Sequence, residues 1–168
     1  RFGGESMSIL KWFRRKPEAL VIQDELGTFL LEHPQSDRFY EGTVPWPPEE
    51  ALVDLEIDGG EPPAADAALA HLCGIMAEAG EWDRRLRAYA ADEMAGGDGW
   101  IETWEDEDSG GSRRTREEFI CRLSIGFIRV HRDGTLFFYY DLDGMFTDHG
   151  LGIHANISGE IFSYEICG

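Results

Sequence analysis

Lysine is nearly absent from this chain. Of the 15 basic residues only Lys11 and Lys16 are lysines, and the first 17 residues hold five of the 15 together with one acid. Residues 18–168 therefore carry 10 basic against 32 acidic groups, a formal charge of -22. No basic residue occurs between Arg38 and Arg84, whereas eleven acids do. Such a charge repels nucleic acids and anionic membranes and attracts basic proteins.

Cysteine is also scarce, and the three residues Cys73, Cys121 and Cys167 have no metal-ligand spacing. An odd, small number of thiols is typical of a reduced, cytoplasmic protein. We expect Cys73 and Cys121 to act as small hydrophobic residues of helices, and Cys167 to be exposed. No apolar run approaches the roughly 18–20 residues that cross a bilayer. The sequence also lacks nucleophile, phosphate-loop and zinc-helix motifs, so we assign no catalytic residue and no cofactor.

The acidity has more than one explanation. Charged residues usually form a solvated surface that keeps a protein soluble, and a salt-adapted protein would also combine many acids with few lysines. The functional interpretation is an acidic face that binds a basic protein. The sequence leaves these alternatives open.

Length and composition predict one domain. The 168 residues, 42% of them hydrophobic and 12% aromatic, are enough for a sizeable core. Residues 1–6 precede Met7, a natural start, and are interpreted as an appended remnant. Residues 7–17 form a basic and apolar segment, expected to be frayed or lightly docked, and residues 18–168 form the domain.

Hydrophobic periodicity divides the domain into strands, helices and strands again. Four strands are predicted first, and the third is expected to end at Pro45 because proline removes a ladder donor. The period then changes to 3.6, which predicts two helices with Arg84, Arg85 and Arg87 mostly outward. A third short helix follows from the capping box of Thr115 and Glu118. The predicted strands are 19–23, 28–32, 38–44 and 51–57, and the predicted helices lie at 63–80, from 81 to about 95, and from 115.

Two hairpins close the chain. Asp133-Gly134 predicts a two-residue type I′ turn between strands 125–132 and 135–141, which would place Ile128 and Val130 beside Tyr139 and Phe137. The second hairpin joins 151–157 to 160–166 through Ser158-Gly159. On it, Leu151, Ile153 and Ala155 should share a face with Ile166, Tyr164 and Phe162. The fold class is therefore α+β, with an antiparallel sheet built from the N-terminal meander and the two C-terminal hairpins, and two or three helices packed on it.

From about residue 85 onward the chain resembles a family of bacterial proteins catalogued as domain of unknown function 2262, with weaker agreement over residues 20–44. The residues that carry the resemblance are Trp100, Trp104, Thr115 to Phe119, Leu123 to Ile125, Asp133-Gly134, Tyr140 to Asp143, Met145-Phe146, His149 to Leu151, and Gly159. The segment Thr147-Asp148-His149 departs from the family, which tends to have an aromatic residue before the histidine. The resemblance implies the fold and little chemistry. Small acidic domains of this sort are similar to immunity proteins of secreted bacterial toxins, which implies partner binding by analogy.

The predicted partner-binding residues are acids and tryptophans. Two acidic tracts, 49–66 and 98–108, are the expected contact faces, and the tryptophans are possible anchors because aromatic residues ringed by acid suit a hot spot against a basic partner. The alternative is that the tryptophans pack on the core. The predicted contact residues are Trp46, Glu49, Glu50, Asp54, Trp100, Trp104, Glu105, Asp106, Glu107 and Asp108.

An alternative site lies near the C-terminus, where Asp141, Asp143, Asp148, His149 and His154 fall within fourteen residues. Carboxylate and imidazole groups can bind a metal and support an enzyme, although the calcium-loop pattern is absent. The opposing interpretation is that these residues shape a turn.

The leading hypothesis is a non-enzymatic, acidic protein-binding domain, most concretely an immunity protein that occludes a basic toxin in the bacterial cytoplasm. It predicts no nucleic acid and no stable membrane association. The alternatives are a metal-dependent enzyme or metal-binding protein that uses the Asp141–His154 segment, and a structural or scaffold subunit. The oligomeric state is left open.

Overall fold

In the computed structural model, alternating polar and apolar residues form strands and the 3.6-residue stripes form helices. The structure describes residues 19–24, 27–32, 39–59, 62–95, 115–146 and 148–168. The strands are β1 (Ala19–Asp24), β2 (Gly27–Glu32), β3 (Phe39–Trp46), β4 (Ala51–Asp58), β5 (Ser124–Val130), β6 (Thr135–Asp141), β7 (Gly150–Asn156) and β8 (Ile161–Cys167). The described α-helices are α1 (Pro62–Ala77), α2 (Ala79–Ala95) and α3 (Arg116–Arg122).

The eight strands of the described residues form one sheet in chain order, from β1 at one edge to β8 at the other. Every neighbouring pair is antiparallel except β4 and β5, which are parallel. A parallel pair needs a long crossover, and the chain between β4 and β5 contains the three helices. The predicted α+β fold is confirmed, and the parallel pair at its centre was not predicted.

Strand β3 continues through Pro45 to Trp46, so the expected end at Pro45 is wrong. Pro45 lies opposite Leu52 of β4, whereas β3 meets β2 only at Glu41 and Glu32. At Pro45 the β2 side of the strand therefore has no described partner, and proline is tolerated in a strand at such a local edge.

The first C-terminal hairpin has a different register from the predicted one. His131 donates its amide to the Thr135 carbonyl, Gly134 donates to the His131 carbonyl, and Gly134 has a φ of 85°. The loop thus has three residues rather than two. Ile128 lies opposite Phe138. Because side chains alternate, this one-residue change moves Phe137 and Tyr139 to the other face of the sheet.

The helices pack on one face of the sheet. The capping box at the start of α3 is present: the Glu118 amide donates to Thr115 Oγ1 at 3.1 Å, and the Thr115 amide donates to Glu118 at 2.9 Å. Leu69 of α1, Leu86 of α2 and Phe119 of α3 are fully buried in the same cluster as the inward residues of the strands. Arg87 of α2 corrects the sequence analysis, since it points inward rather than outward. Within the described residues, no helix is long and apolar enough to cross a membrane.

Candidate functional site

The sheet has two different faces. We call the face under the helices the covered face and the opposite one the open face. Covered-face residues such as Val53, Ile128 and Phe138 are fully buried, and the residues between them are half-buried or exposed. The open face includes Glu41 on β3, Asp54 on β4, Arg129 on β5, Phe137 on β6, His154 on β7 and Glu165 on β8.

Planar side chains form a continuous row across the open face. The rings of Phe127 and Phe137 have their centroids 6.1 Å apart, and Phe137 lies 5.0 Å from His154. His154 in turn stacks on Phe162 at 6.3 Å. Phe162 is 51% exposed. We call Phe39, Arg129, Phe127, Phe137, His154 and Phe162 the ring row.

Arg129 connects Phe39 to the rest of this row. Its guanidinium lies 4.9 Å from the ring centroid of Phe39 and 5.2 Å from that of Phe127. Its Nε donates to Glu56 at 2.6 Å. A guanidinium held between two rings and fixed by a carboxylate is a planar element of the surface rather than a mobile charge.

Carboxylates accompany the ring row. Among the described side chains of β3 to β8 and the turn after β5, the open face has one guanidinium, that of Arg129, and the imidazoles of His131 and His154. The carboxylates on the same face of these strands are those of Glu41, Asp54, Glu56, Asp58, Asp141 and Glu165. Asp58 contacts His131 at 3.2 Å, and Glu165 contacts His154 at 3.2 Å. The surface therefore combines aromatic area with net negative charge, which is the chemistry that a basic protein surface complements.

Two glycines of β7 leave space for rings of the neighbouring strand. A Cβ atom at Gly152 would lie 2.6 Å from the Phe137 ring, and one at Gly150 would collide with the ring of Tyr139. Glycine weakens a strand, and an aromatic ring from the neighbouring strand restores the packing. The rings of Phe137 and Tyr139 thus occupy the space that side chains at these two positions would fill.

A buried polar network supports the covered face. Asp83 of α2, only 8% exposed, is the one buried charged residue among the described side chains. Trp46 Nε1 and the Tyr140 hydroxyl each donate to its Oδ1 at 3.2 Å, and Arg87 donates to its Oδ2 at 2.7 Å. Burial and the neighbouring Asp83 carboxylate raise the pKa of Tyr140 well above its usual value of 10.0.

Arg87 connects this network to the rest of the fold. It donates to the carbonyls of Ile120 at 2.8 Å and Leu123 at 2.7 Å, and it pairs with Glu49. Glu49 also accepts the Ile125 amide at 2.9 Å. Burial raises the pKa of Glu49, although Ile125 and Arg87 lower it. With its donors and acceptors paired in this way, the network joins α2, α3, β5 and β6 and has a structural role.

The predicted contact residues lie in different environments in the structure. A contact role requires an exposed Trp46. The residue is instead fully buried, where it packs against Phe138 and donates a hydrogen bond to Asp83. Glu49 is engaged by Arg87, whereas Glu50 and Asp54 are exposed. Trp100, Trp104, Glu105, Asp106, Glu107 and Asp108 lie outside the described residues, so their role stays a prediction.

The alternative metal ligands do not converge. Asp143 pairs with Arg122 at 2.7 Å, and Asp141 accepts the Asp143 amide at 2.6 Å, which shapes the turn after β6. His149 lies beside Asp148 and the Phe146 carbonyl, whereas His154 belongs to the ring row. Among the described residues, no group of three His, Cys, Asp or Glu residues is placed to hold a metal.

The cysteines differ from expectation. Cys121 lies on α3 as predicted but is exposed, because Phe119 and Leu123 take the buried positions around it. Cys73 and Cys167 are half-buried. Burial raises the pKa of the Cys167 thiol, and a raised pKa leaves it mostly protonated at neutral pH and a weak nucleophile.

Sequence reasoning missed the ring row for two local reasons. The wrong turn length put Phe137 on the covered face, and a bulge in β8 moved Phe162. His154 pairs with Ser163 but Ala155 pairs with Ile161, so Phe162 turns to the open face and stacks on His154. Strand β6 has four consecutive aromatic residues, so both of its faces carry rings. The sequence of this strand alone therefore does not indicate which face is buried.

The fold and surface define a class: an α+β domain with one helix-covered sheet face and one open, acidic and aromatic face. Residues 23–166 match the family described as an uncharacterized protein conserved in bacteria, DUF2262. The chain therefore belongs to this bacterial family. No curated protein and no solved structure matches it.

Proposed function

We propose that this protein is a non-enzymatic binding domain that holds a basic partner protein on the open face of its sheet. The observation that supports the proposal is the ring row with carboxylates beside it, on a sheet face that the described helices leave uncovered. Aromatic residues are enriched in the cores of protein interfaces, where a few residues carry most of the binding energy, and charges around them speed the encounter.

The most concrete form of the proposal is an immunity protein of the bacterial cytoplasm that occludes a basic toxin. The chain's formal charge of -18 supports a basic partner and disfavours nucleic acid. Asp54, Glu56 and Asp58, from the first predicted acidic tract, lie on the open face. Steering by such charges raises the association rate constant to roughly 10⁸ M⁻¹s⁻¹ at low salt.

The test begins with affinity capture from the native bacterium, using the full chain and a variant with Glu41→Gln and Asp54→Asn. A matched control carries Glu78→Gln and Glu93→Gln, which remove the same charge from exposed positions of the helical layer. We expect the control and the unmodified chain to capture the same basic protein, and the open-face variant to capture much less of it. The captured protein should then lose its toxic activity when the unmodified chain is added.

Kinetics with the purified partner separate steering from contact. The association rate should fall steeply as salt rises from about 50 to about 500 mM, because screening shortens the reach of the charges. Phe137→Ala should raise the dissociation rate. Salt-independent association, or equal binding by the open-face variant and its control, would contradict the proposal.

A further inference from the structure

We propose that the partner of this protein adds an extended, basic segment as a ninth strand beside β8. This inference rests on the proposed function and deepens it, since it names the edge of the sheet and the kind of segment that binds there. Strand addition is a common mode of recognition in which main-chain hydrogen bonds give affinity and alternate side chains give specificity.

Strand β8 ends the sheet on one side, and no described strand pairs with its outer edge. Half of the amide and carbonyl groups of such a strand point away from its neighbour. Natural proteins protect exposed edges with lysine, proline or a covering element. Over its seven residues, Ile-Phe-Ser-Tyr-Glu-Ile-Cys, β8 has neither lysine nor proline. Its bulge lies at its first residues and leaves the pairing from Ser163 to Cys167 regular.

The ring row reaches this edge, which connects it to the proposed interface. Phe162 is the last member of the row and is 51% exposed on β8 itself. A strand added beside β8 would place alternate side chains next to Glu165 on the open face. The remaining side chains would lie next to Tyr164 and Ile166, which pack against the core.

These neighbours define the segment. Basic residues suit the positions beside Glu165, whose side chain is 56% exposed. Apolar residues suit the positions beside Tyr164 and Ile166. The segment should therefore alternate Arg or Lys with apolar, β-branched residues.

Charge also selects between two occupants of the edge. A second copy would pair β8 with β8 and bring two chains of formal charge -18 together. Like charges across an interface are destabilising, whereas a basic segment complements them. The foreign basic strand is therefore favoured over a homodimer.

The first measurement is amide hydrogen exchange of the full chain alone. Amides of β7 bond within the sheet on both sides, so they should exchange slowly, and the outward amides of β8 should exchange at least about tenfold faster. Slow exchange of all β8 amides in a monomer would show that the chain covers its own edge. Protection that grows with protein concentration, together with dimers in sedimentation, would identify a second copy. Either result would overturn the proposal.

The second measurement uses a synthetic peptide of about eight residues that alternates Arg and Val, a typical strand length. It should bind and slow the outward β8 amides. A matched peptide N-methylated at its two central residues keeps every charge and side chain but loses one amide donor on each edge. We expect it to bind at least about tenfold more weakly, because strand addition depends on main-chain hydrogen bonds.

Two further arms separate this proposal from the proposed function. Equal, salt-sensitive binding of both peptides would overturn strand addition and leave a basic partner on the open face intact. If a Glu–Val peptide bound as tightly as the Arg–Val peptide, the result would also contradict the proposal of a basic partner. If the Arg–Val peptide did not bind, the result would overturn strand addition but not the proposed function. Glu165→Gln should weaken binding of the Arg–Val peptide severalfold, whereas Glu117→Gln, at an exposed position of α3 outside the open face, should change it little.

Discussion

On β6, Phe137 and Phe138 are consecutive residues of the same type in opposite environments. Phe138 is fully buried on the covered face, where it stacks on Trp82 at 5.7 Å. Phe137 lies on the open face between Phe127 and His154. Rings on the covered face pack against helices, whereas rings on the open face pack against one another. Aromatic residues therefore fill the core on one face, whereas on the other they leave ring area partly exposed.

Polar groups show the same contrast. On the covered face Asp83 and Arg87 are enclosed and bonded to several partners. On the open face Glu56 and Arg129 also pair, yet their side chains remain 19% and 34% exposed. A buried pair has no water to replace a lost partner, whereas an exposed pair does. Substitutions on the two faces should therefore differ in kind.

The largest effect is expected at the centre of the buried network. Arg87→Ala leaves Asp83 and Glu49 in place without their guanidinium and should lower the free energy of unfolding by about 3–5 kcal/mol. Urea denaturation of the variant and the unmodified protein measures this difference in the free energy of unfolding. The control is Arg84→Ala on the same helix, whose exposed pair with Glu81 should contribute little. Equal losses in the two variants would contradict the distinction between the buried and the exposed ion pairs.

The neighbouring phenylalanines give the most direct comparison. Phe138→Ala should cost about 3–5 kcal/mol of folding free energy because it opens a cavity in the core. Phe137→Ala should cost about 1 kcal/mol, the ordinary value for a partly exposed site, and should weaken partner binding instead. Denaturation midpoints compare the stability of the two variants, and dissociation rates compare their binding to the partner. A larger stability loss at Phe137 would mean that the open face is part of the core.

The packing of open-face rings against the glycines of β7 can be tested by substitution. Gly152→Ala places a methyl group 2.6 Å from the Phe137 ring and should lower stability by about 1–3 kcal/mol through overpacking. Gly126→Ala is the matched control, since its Cβ would lie at an ordinary 3.5 Å from Tyr139. Similar thermal unfolding of the two variants would show that the rings do not depend on the glycines.

The smallest effect concerns the Tyr140 hydroxyl. Tyr140→Phe removes one hydrogen bond to Asp83 and should cost about 1 kcal/mol at neutral pH. Because burial raises the pKa of Tyr140 in the fold, the folded state holds this proton more tightly than the unfolded state. Its contribution is complete below the unfolded value of 10.0 and is lost as pH rises above that value. The variant should therefore lose less stability than the unmodified protein above pH 10.0, measured by urea midpoints at several pH values; parallel losses would contradict this.

Much of the fold followed from local signals. The capping box of Thr115 and Glu118 and the 3.6-residue stripes predicted the helices because these features act within a few residues. The four N-terminal strands and the two hairpins were also predicted. The candidate site was not, because it depends on register: one residue in the loop after Val130 and one bulge before Phe162 exchange the faces of the rings.

The sequence by itself determined the α+β class, the order of the elements and the strong negative charge, since periodicity and composition are local properties. Only the tertiary structure decided which carboxylates face solvent and which rings share a surface. Arg87, predicted outward, is held inside by two carbonyls and two carboxylates that are distant in the chain. Trp46, predicted as a contact, is buried because a helix supplies an acceptor for its indole. Long-range partners set both outcomes, and no pattern within a few residues encodes them.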